Sequence, residues 1–254
     1  MTLFGINPLA TLQALRGLPF YLRDLRAIRK QLRNTHSDFA WAELYPCFLD
    51  RVADSGLARG HYFHQDLLVA RRIFENAPEL HVDVGSRIDG FVAHVASFRT
   101  LEVFDIRPMA TGLPNINFVR CDFMGEIPES LTSYCDSLSC LHALEHFGLG
   151  RYGDRINPDG HLIGFENLHK LLRVNGKFYF SVPIGRQRIE FNGHRVFSMK
   201  YLLSLVGERY VIDSFSFVDD NGDLFENIEL TEDGVAGNFG CNLGCGIFEM
   251  TKVK

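Results

Sequence analysis

Residues 81–95 read HVDVGSRIDGFVAHV, and the fold turns on them. LHVDVG is a short apolar strand, Gly85 opens a turn, and FVAHVASF after Gly90 has the spacing of a helix. Strand, glycine-bearing turn and helix is how many nucleotide-type cofactors are held. Gly85 and Gly90 let backbone amides approach a ligand, or close the turn, without steric cost. Yet the loop is not G-x-G-x-x-G. Arg87 stands where a second glycine would admit a pyrophosphate, and Asp89 follows it, which argues against a nicotinamide dinucleotide. Arg87 is left to pair with a carboxylate, from a ligand or from Asp89 or Glu102.

Downstream, TLEVFDIRP, INFVRCDF and CDSLSCLHAL read as the second, third and fourth strands, the fourth running into a turn. HLIGFENLHKLLRVNG reads as a helix closing at Gly176, and KFYFSVPIG as the fifth strand. Strands alternating with helices predict an α/β fold, a Rossmann-like and mostly parallel sheet with helices on both faces. Residues 196–254 add a helix, FSMKYLLSLVGE, a strand, YVIDSFSFVDD, and a final strand, CGIFEMTKV, with 221–240 expected as a long loop.

Upstream, Leu15, Leu18, Leu22, Leu25, Ile28 and Leu32 recur at helical spacing, so residues 8–35 contain an amphipathic helix, at least beyond Pro19. Arg16, Arg23, Arg26, Arg29, Lys30 and Arg33 against Asp24 make it basic. Such a helix can cover the main domain with a solvated face, lie on an anionic membrane, or meet a partner helix. Residues 38–80 are helical in pieces, HQDLLVARRIFEN most clearly. The expected organisation is an N-terminal helical extension over residues 1–79 and a Rossmann-like domain over 80–254.

The 254 residues are 46% apolar and 22% charged, with a formal net charge of −5, so bulk charge gives no reason to expect a nucleic acid. The 22 phenylalanines suggest only core filling. The N-terminus lacks a secretory signal, and no apolar run approaches the roughly 20 residues that span a bilayer. A cytoplasmic location is expected, with the basic helix allowing peripheral contact at an inner membrane. Cys47, Cys121, Cys135, Cys140, Cys241 and Cys245 are then free thiols; Cys241-x3-Cys245 alone makes no zinc site. Oligomeric state is left open.

In an open α/β sheet, ligands bind outside the carboxyl ends of the strands. Those ends carry Asp83, Gly85 and Ser86, then Asp105, then Asp122, then His142, Glu145 and His146, and lastly Pro183 and Gly185. An acid ending the second strand suits a ribose diol. The ordered set DVG at 83–85, Asp105, Asp122, SLSCLHALEH at 137–146 and LLRVNGKFYFSVP at 171–183 resembles the class I S-adenosylmethionine-dependent methyltransferases, over about residues 80–185. Within that class it is similar to a bacterial group associated with surface-polysaccharide synthesis. The resemblance implies S-adenosylmethionine as cofactor. Asp83, Gly85 and Ser86 would shape its methionine end, Asp105 would take the ribose hydroxyls, Asp122 would lie near the adenine amine, and Leu141 would line the pocket. Two departures stand out: Arg87 and Asp89 replace loop glycines, and RVNGK replaces the usual Pro-Gly-Gly, keeping Gly176.

Methyl transfer to oxygen wants a base beside the acceptor and a site that excludes water. The segment LHALEHFGLGRYGDRINPDGHLIG reads as a substrate-facing loop. His146 is the first candidate base, with Asp154 and His142 behind it and Glu145 as an orienter. Arg151, Arg155 and His161, with Arg186 and His194 beyond the fifth strand, are candidate acceptor-binding residues. Glu145, His146, Asp154, His161 and His194 include metal-ligand types, but their spacing is not diagnostic and no metal is expected. The expected function is methyl transfer to a small polar acceptor, a hydroxyl of a sugar or glycoconjugate. The alternatives are a non-catalytic relative that binds a partner and a nicotinamide-dependent oxidoreductase.

Overall fold

The computed structural model describes residues 8–254 apart from 35–37, 40, 42, 54 and 111. The chain divides into two compact units, Met1–Leu57 and Ala58–Lys254.

The first unit is built on α1 (Pro8–Leu32), which continues through Pro19 and so starts earlier than the sequence alone secures. Leu12, Leu15, Leu18, Leu22 and Ile28 are exposed on it. Asp24 accepts from Arg23 and Arg51 at 2.8 and 2.9 Å. No helix among the described residues is long and apolar enough to cross a membrane.

The second unit begins with α2 (His61–Asn76), which the sequence reading assigned to the extension. Its apolar face explains the correction. Leu68, Val69, Ala70 and Ile73 are buried against Val95, Leu101 and Val103, so α2 is a covering layer of the sheet. The sheet runs β3-β2-β1-β4-β5-β10-β8-β9. β1 (His81–Val84), β2 (Leu101–Asp105), β3 (Ile116–Arg120), β4 (Cys135–Leu141) and β5 (Leu172–Ile184) are parallel. β10 (Gly244–Lys252) inserts antiparallel between β5 and β8 (Tyr210–Val218), and β9 (Leu224–Phe225) closes the edge. β6 (Arg188–Glu190) and β7 (His194–Val196) form a separate hairpin beyond the fifth strand. The 221–240 stretch is more ordered than expected: besides β9 it holds a short helix α6 (Glu232–Ala236) with Thr231 as its cap.

α2 and a short helix α3 (Ala93–Ala96) lie on one face, and α4 (Gly160–Leu171) and α5 (Met199–Val206) on the other. α4 stops at Leu171, short of Gly176, because Leu172 already pairs with Cys135 on β4. Asn175, at φ 63°, then turns the strand toward its main register.

The phenylalanines concentrate on the α4–α5 face. Phe165, Phe178, Phe180, Phe215 and Phe248 are buried there, with ring centroids 4.9–6.2 Å apart between successive neighbours. Each buried ring stabilises the fold by roughly 1.5–3 kcal/mol. The opposite face is partly polar: in register across β1 and β4, His81 hydrogen-bonds Ser137 and Asp83 accepts from Ser139.

Candidate active site

The strand order reverses direction between β1 and β4, and the crevice there opens into a cavity of about 520 Å³. That is the expected ligand position in an open α/β sheet. Each parallel strand contributes its carboxyl end. Gly85, Ser86 and Arg87 come from β1, Asp105 and Arg107 from β2, Asp122 from β3, and Leu141 and His142 from β4.

Gly85 sits at φ +77°, and a Cβ there would lie 2.8 Å from the Ala143 Cβ. Both facts require glycine. Asp83 does not line the cavity; it lies fully buried behind the loop. Its carboxylate accepts from the Ser86 hydroxyl (2.6 Å), the Ser86 N–H (3.1 Å) and the Ser139 hydroxyl (2.6 Å). Burial pushes it up to about 6 despite those bonds. The sequence expectation is corrected to that extent: Asp83 fastens the turn to the sheet, and of the three only Gly85 and Ser86 line the cavity.

Arg87 pairs with Asp89 through two bonds of 3.0 and 2.8 Å, both side chains exposed, and its guanidinium lies 5.4 Å from the Tyr62 ring centre. It is a rim residue. Gly90 has φ −127° and ψ −110°, and a Cβ there would meet the Asp66 carboxylate at 2.7 Å. The two glycines of the opening stretch are therefore needed for different reasons, one for its positive φ and both for close approach.

Asp105 faces the cavity but is already engaged: Arg107 donates to it from its backbone N–H (2.8 Å), Nε (3.0 Å) and Nη2 (2.5 Å). The guanidinium also stacks 4.5 Å from the centre of the Tyr152 ring. A carboxylate offers about four acceptor sites. Asp105 can receive two further hydroxyls only if the Arg107 side chain gives way, and Tyr152 is the surface on which it would remain. Asp122 lines the cavity and accepts from the Met124 N–H at 2.8 Å through one oxygen.

On the acceptor side, the candidates separate cleanly. His146 lines the cavity, and its Nδ1–H donates to the Gly193 carbonyl at 2.7 Å. That fixes the tautomer and leaves Nε2 with a lone pair. Burial holds the imidazole below its ordinary value, so it is neutral at pH 7. Asp154 touches the cavity, but its oxygens are taken by the backbone N–H groups of Gly148, Gly150 and Tyr152, a loop-closing role rather than that of a base. His142 lines the cavity at φ +50° and donates from Nδ1 to Glu145 (2.8 Å). Glu145 is buried and orients His142 more directly than His146, whose Nε2 lies 3.7 Å away.

Arg151 lines the cavity and donates to the Gly193 carbonyl at 3.2 Å. The other four expected acceptor residues do not line it. Arg155 and Arg186 are exposed elsewhere. His161 is buried on α4, bonded to the Tyr201 hydroxyl at 2.7 Å. His194 pairs with Glu190 at 3.3 Å within the β6–β7 hairpin. The proposed metal-ligand types Glu145, His146, Asp154, His161 and His194 do not gather into one cluster among the described residues. Three contributors went unread in the sequence. Arg107 stands two residues past Asp105, and Tyr62 and Tyr152 edge the mouth; only Arg107, beside an identified strand end, carried any signal.

A family model described as "Caenorhabditis protein of unknown function, DUF268" matches residues 117–235. No curated protein matches the chain in sequence. Among solved structures, it is similar to a Burkholderia thailandensis 1,6-didemethyltoxoflavin-N1-methyltransferase with bound 1,6-didemethyltoxoflavin and S-adenosylhomocysteine. The identity is 15% and the TM-score 0.51, over 75% of this chain and 79% of that one. The N-methyltransferase NodS from Bradyrhizobium japonicum WM9, in complex with S-adenosylhomocysteine, gives 12% and 0.50 over 77% and 89%. The [4+2]-cyclase SpnF gives 13% and 0.50 over 75% and 81%. The chain has the class I methyltransferase fold. Fold at this identity does not carry chemistry with it, and a cyclase among the neighbours makes the point.

Proposed function

We propose that the chain is an S-adenosylmethionine-dependent methyltransferase acting on a hydroxyl of a small polar acceptor, a sugar or glycoconjugate. The observation that carries this reading is the cavity at the β1/β4 switch point, with Gly85 at positive φ and carboxylates from Asp105 and Asp122 facing it. Its volume suits a nucleoside-sized ligand together with a small acceptor. Gly85 and Ser86 would meet the amino-acid end of the cofactor, Asp105 the ribose hydroxyls once Arg107 turns aside, Asp122 the adenine edge, and Leu141 the apolar floor.

The bound cofactor supplies an electrophilic methyl group. The protein supplies the rest. His146 Nε2 takes the proton of the acceptor hydroxyl, and the Gly193 carbonyl keeps the ring in the productive tautomer. Tyr62, Arg151 and Tyr152 form an aromatic and cationic mouth, a surface suited to a polyhydroxylated ring and its charged substituents. That mouth is the support for the acceptor class; the matching family model, described as a Caenorhabditis protein of unknown function, adds none for a polysaccharide-synthesis group. The exposed leucines and arginines of α1 suit a peripheral contact with an anionic membrane, where a lipid-linked acceptor would reside.

The test is calorimetric titration of the full chain with S-adenosylmethionine, S-adenosylhomocysteine and NAD. The first two should bind and NAD should not, and Asp105→Ala should weaken the first two by about tenfold or more, one charge-assisted hydrogen-bonding group being worth about 1.5–3 kcal/mol. Binding unchanged in Asp105→Ala, or NAD binding in place of the other two, would refute the assignment.

A further inference from the structure

We propose that His61, His142 and Cys245 form a binding site for a divalent transition metal, zinc by the chemistry of the donors, with a fourth position free for water. The three ligand atoms lie within 4.8 Å of one another. They come from the first residue of α2, the residue after β4 and the second residue of β10, so the fold assembles what no sequence spacing displays. In a tetrahedral zinc site the ligand atoms stand about 3.3–3.8 Å apart, as metal–ligand lengths of about 2.0–2.3 Å require. Closing the set requires the His61 ring to turn out of its near-parallel stack on His142, because a metal lies in the plane of each imidazole that binds it.

What points to a ligand is the state of His142. Its side chain is 6% exposed and its Nδ1–H is committed to the Glu145 carboxylate. Its other nitrogen, Nε2, is buried and makes no hydrogen bond of good geometry, with the Cys245 thiol as the polar group that acts on the ring from that side. A buried nitrogen left so is costly in a protein interior and calls for an explanation. A carboxylate behind a histidine, orienting the ring and raising its basicity, is the usual second shell of a zinc-binding imidazole. His61 stacks on His142 at 5.3 Å and 12°, and a ring nitrogen of His61 faces the Leu243 carbonyl, the other common second-shell partner. The Cys245 sulfur is fully buried, 3.8 Å from the Gln65 side-chain oxygen and 3.9 Å from the Gly246 carbonyl, with the His142 imidazole as a further partner.

Two imidazoles and a thiolate are a borderline-soft donor set, which favours zinc over magnesium or calcium. On binding, the Cys245 thiol releases its proton and the sulfur–metal bond replaces the S–H bond. Three protein ligands with one position left open is the pattern of reactive rather than purely structural zinc. His142 is cavity wall while His61 and Cys245 are not, so the cluster lies behind that wall. The inference does not depend on the identity of the cofactor.

The experiment uses the full chain, stripped with a chelator and titrated with Co²⁺ as a spectroscopic stand-in. One equivalent should produce a thiolate-to-cobalt charge-transfer band and the strong visible bands of a tetrahedral site, and Zn²⁺ should abolish both by competition. Cys245→Ser should remove the charge-transfer band, His61→Asn should weaken metal binding by about tenfold or more, and Glu145→Gln by about 10–100-fold. Cys241→Ser should leave the spectrum as it is. Should Cys245→Ser fail to fold, protection of the Cys245 thiol from alkylation by one equivalent of Zn²⁺ in the wild-type chain decides the matter. No charge-transfer band in the wild type, a band that survives Cys245→Ser, or one lost in Cys241→Ser would overturn the proposal.

Discussion

Replacing Gly85 with alanine tests the turn on which the cavity is built. At φ +77° an alanine incurs the left-handed penalty of roughly 1–2 kcal/mol. Its methyl would also stand 2.8 Å from the Ala143 Cβ, well inside van der Waals contact, and relieving such overpacking costs about 1–3 kcal/mol. The expected loss is about 2–5 kcal/mol, read as a lowered urea midpoint with an unchanged slope. The two contributions can be separated. Ala143→Gly removes the obstructing methyl without altering the backbone angle at position 85. The double variant should therefore be more stable than the sum of the single changes by about 1 kcal/mol or more, the steric part alone. Titration with S-adenosylhomocysteine on the same proteins should show that the single variant also loses affinity, because the loop can accept the methyl only by moving. If Gly85→Ala unfolds within about 0.5 kcal/mol of the wild type, or the cycle is additive within that margin, the loop does not have the geometry described.

Two further expectations follow from buried charges. The Asp83 carboxyl holds its proton more tightly in the folded chain, at about 6 against an ordinary 3.8. Its contribution therefore lowers stability as pH rises from about 4 to about 6, by about 3 kcal/mol in all, and is constant above that window. Asp83→Asn should flatten this component; urea unfolding of both proteins across pH 4–7 would contradict it if their difference did not change with pH. Arg195 is buried and donates to the carbonyls of Phe147 (2.6 Å), Pro158 (3.0 Å) and Glu145 (3.4 Å). Arg195→Met should cost about 2–4 kcal/mol by leaving those acceptors without a donor. A loss below about 0.5 kcal/mol would show that the loops do not depend on it.

The sheet was readable because its signals are local. Apolar runs such as LHVDVG and KFYFSVPIG, broken by glycines and helical repeats, set the strands and their order. The strand ends followed, and with them Gly85, Ser86, Asp105, Asp122 and Leu141 as cavity residues. What escaped depends on contacts between distant segments. Nothing near Asp83 announces that Ser139 will hold its carboxylate from the neighbouring strand, and so turn a presumed ligand contact into a support. His161 and His194 looked like His146 in composition, and only the packing of α4 and the β6–β7 hairpin directs them elsewhere. The helix boundary near Gly176 was misjudged because LLRVNG suits a helix end, while β4 was already waiting to pair with Leu172.

The β6–β7 hairpin does two jobs within three residues. The Gly193 carbonyl steadies His146, and the Arg195 guanidinium holds the carbonyls of the segment from Glu145 to Pro158. The β1 turn and the 145–158 wall of the cavity are fastened by separate means, the first by Asp83 and the second by Arg195 together with Asp154. Tyr152 reaches both Arg107 and His146, its ring centre lying 4.5 Å from the Arg107 guanidinium and 5.4 Å from the His146 ring centre. A change at Arg195 would free the Glu145, Phe147 and Pro158 carbonyls together. The hairpin thus shapes one wall of the cavity, though no side chain of it lines the cavity.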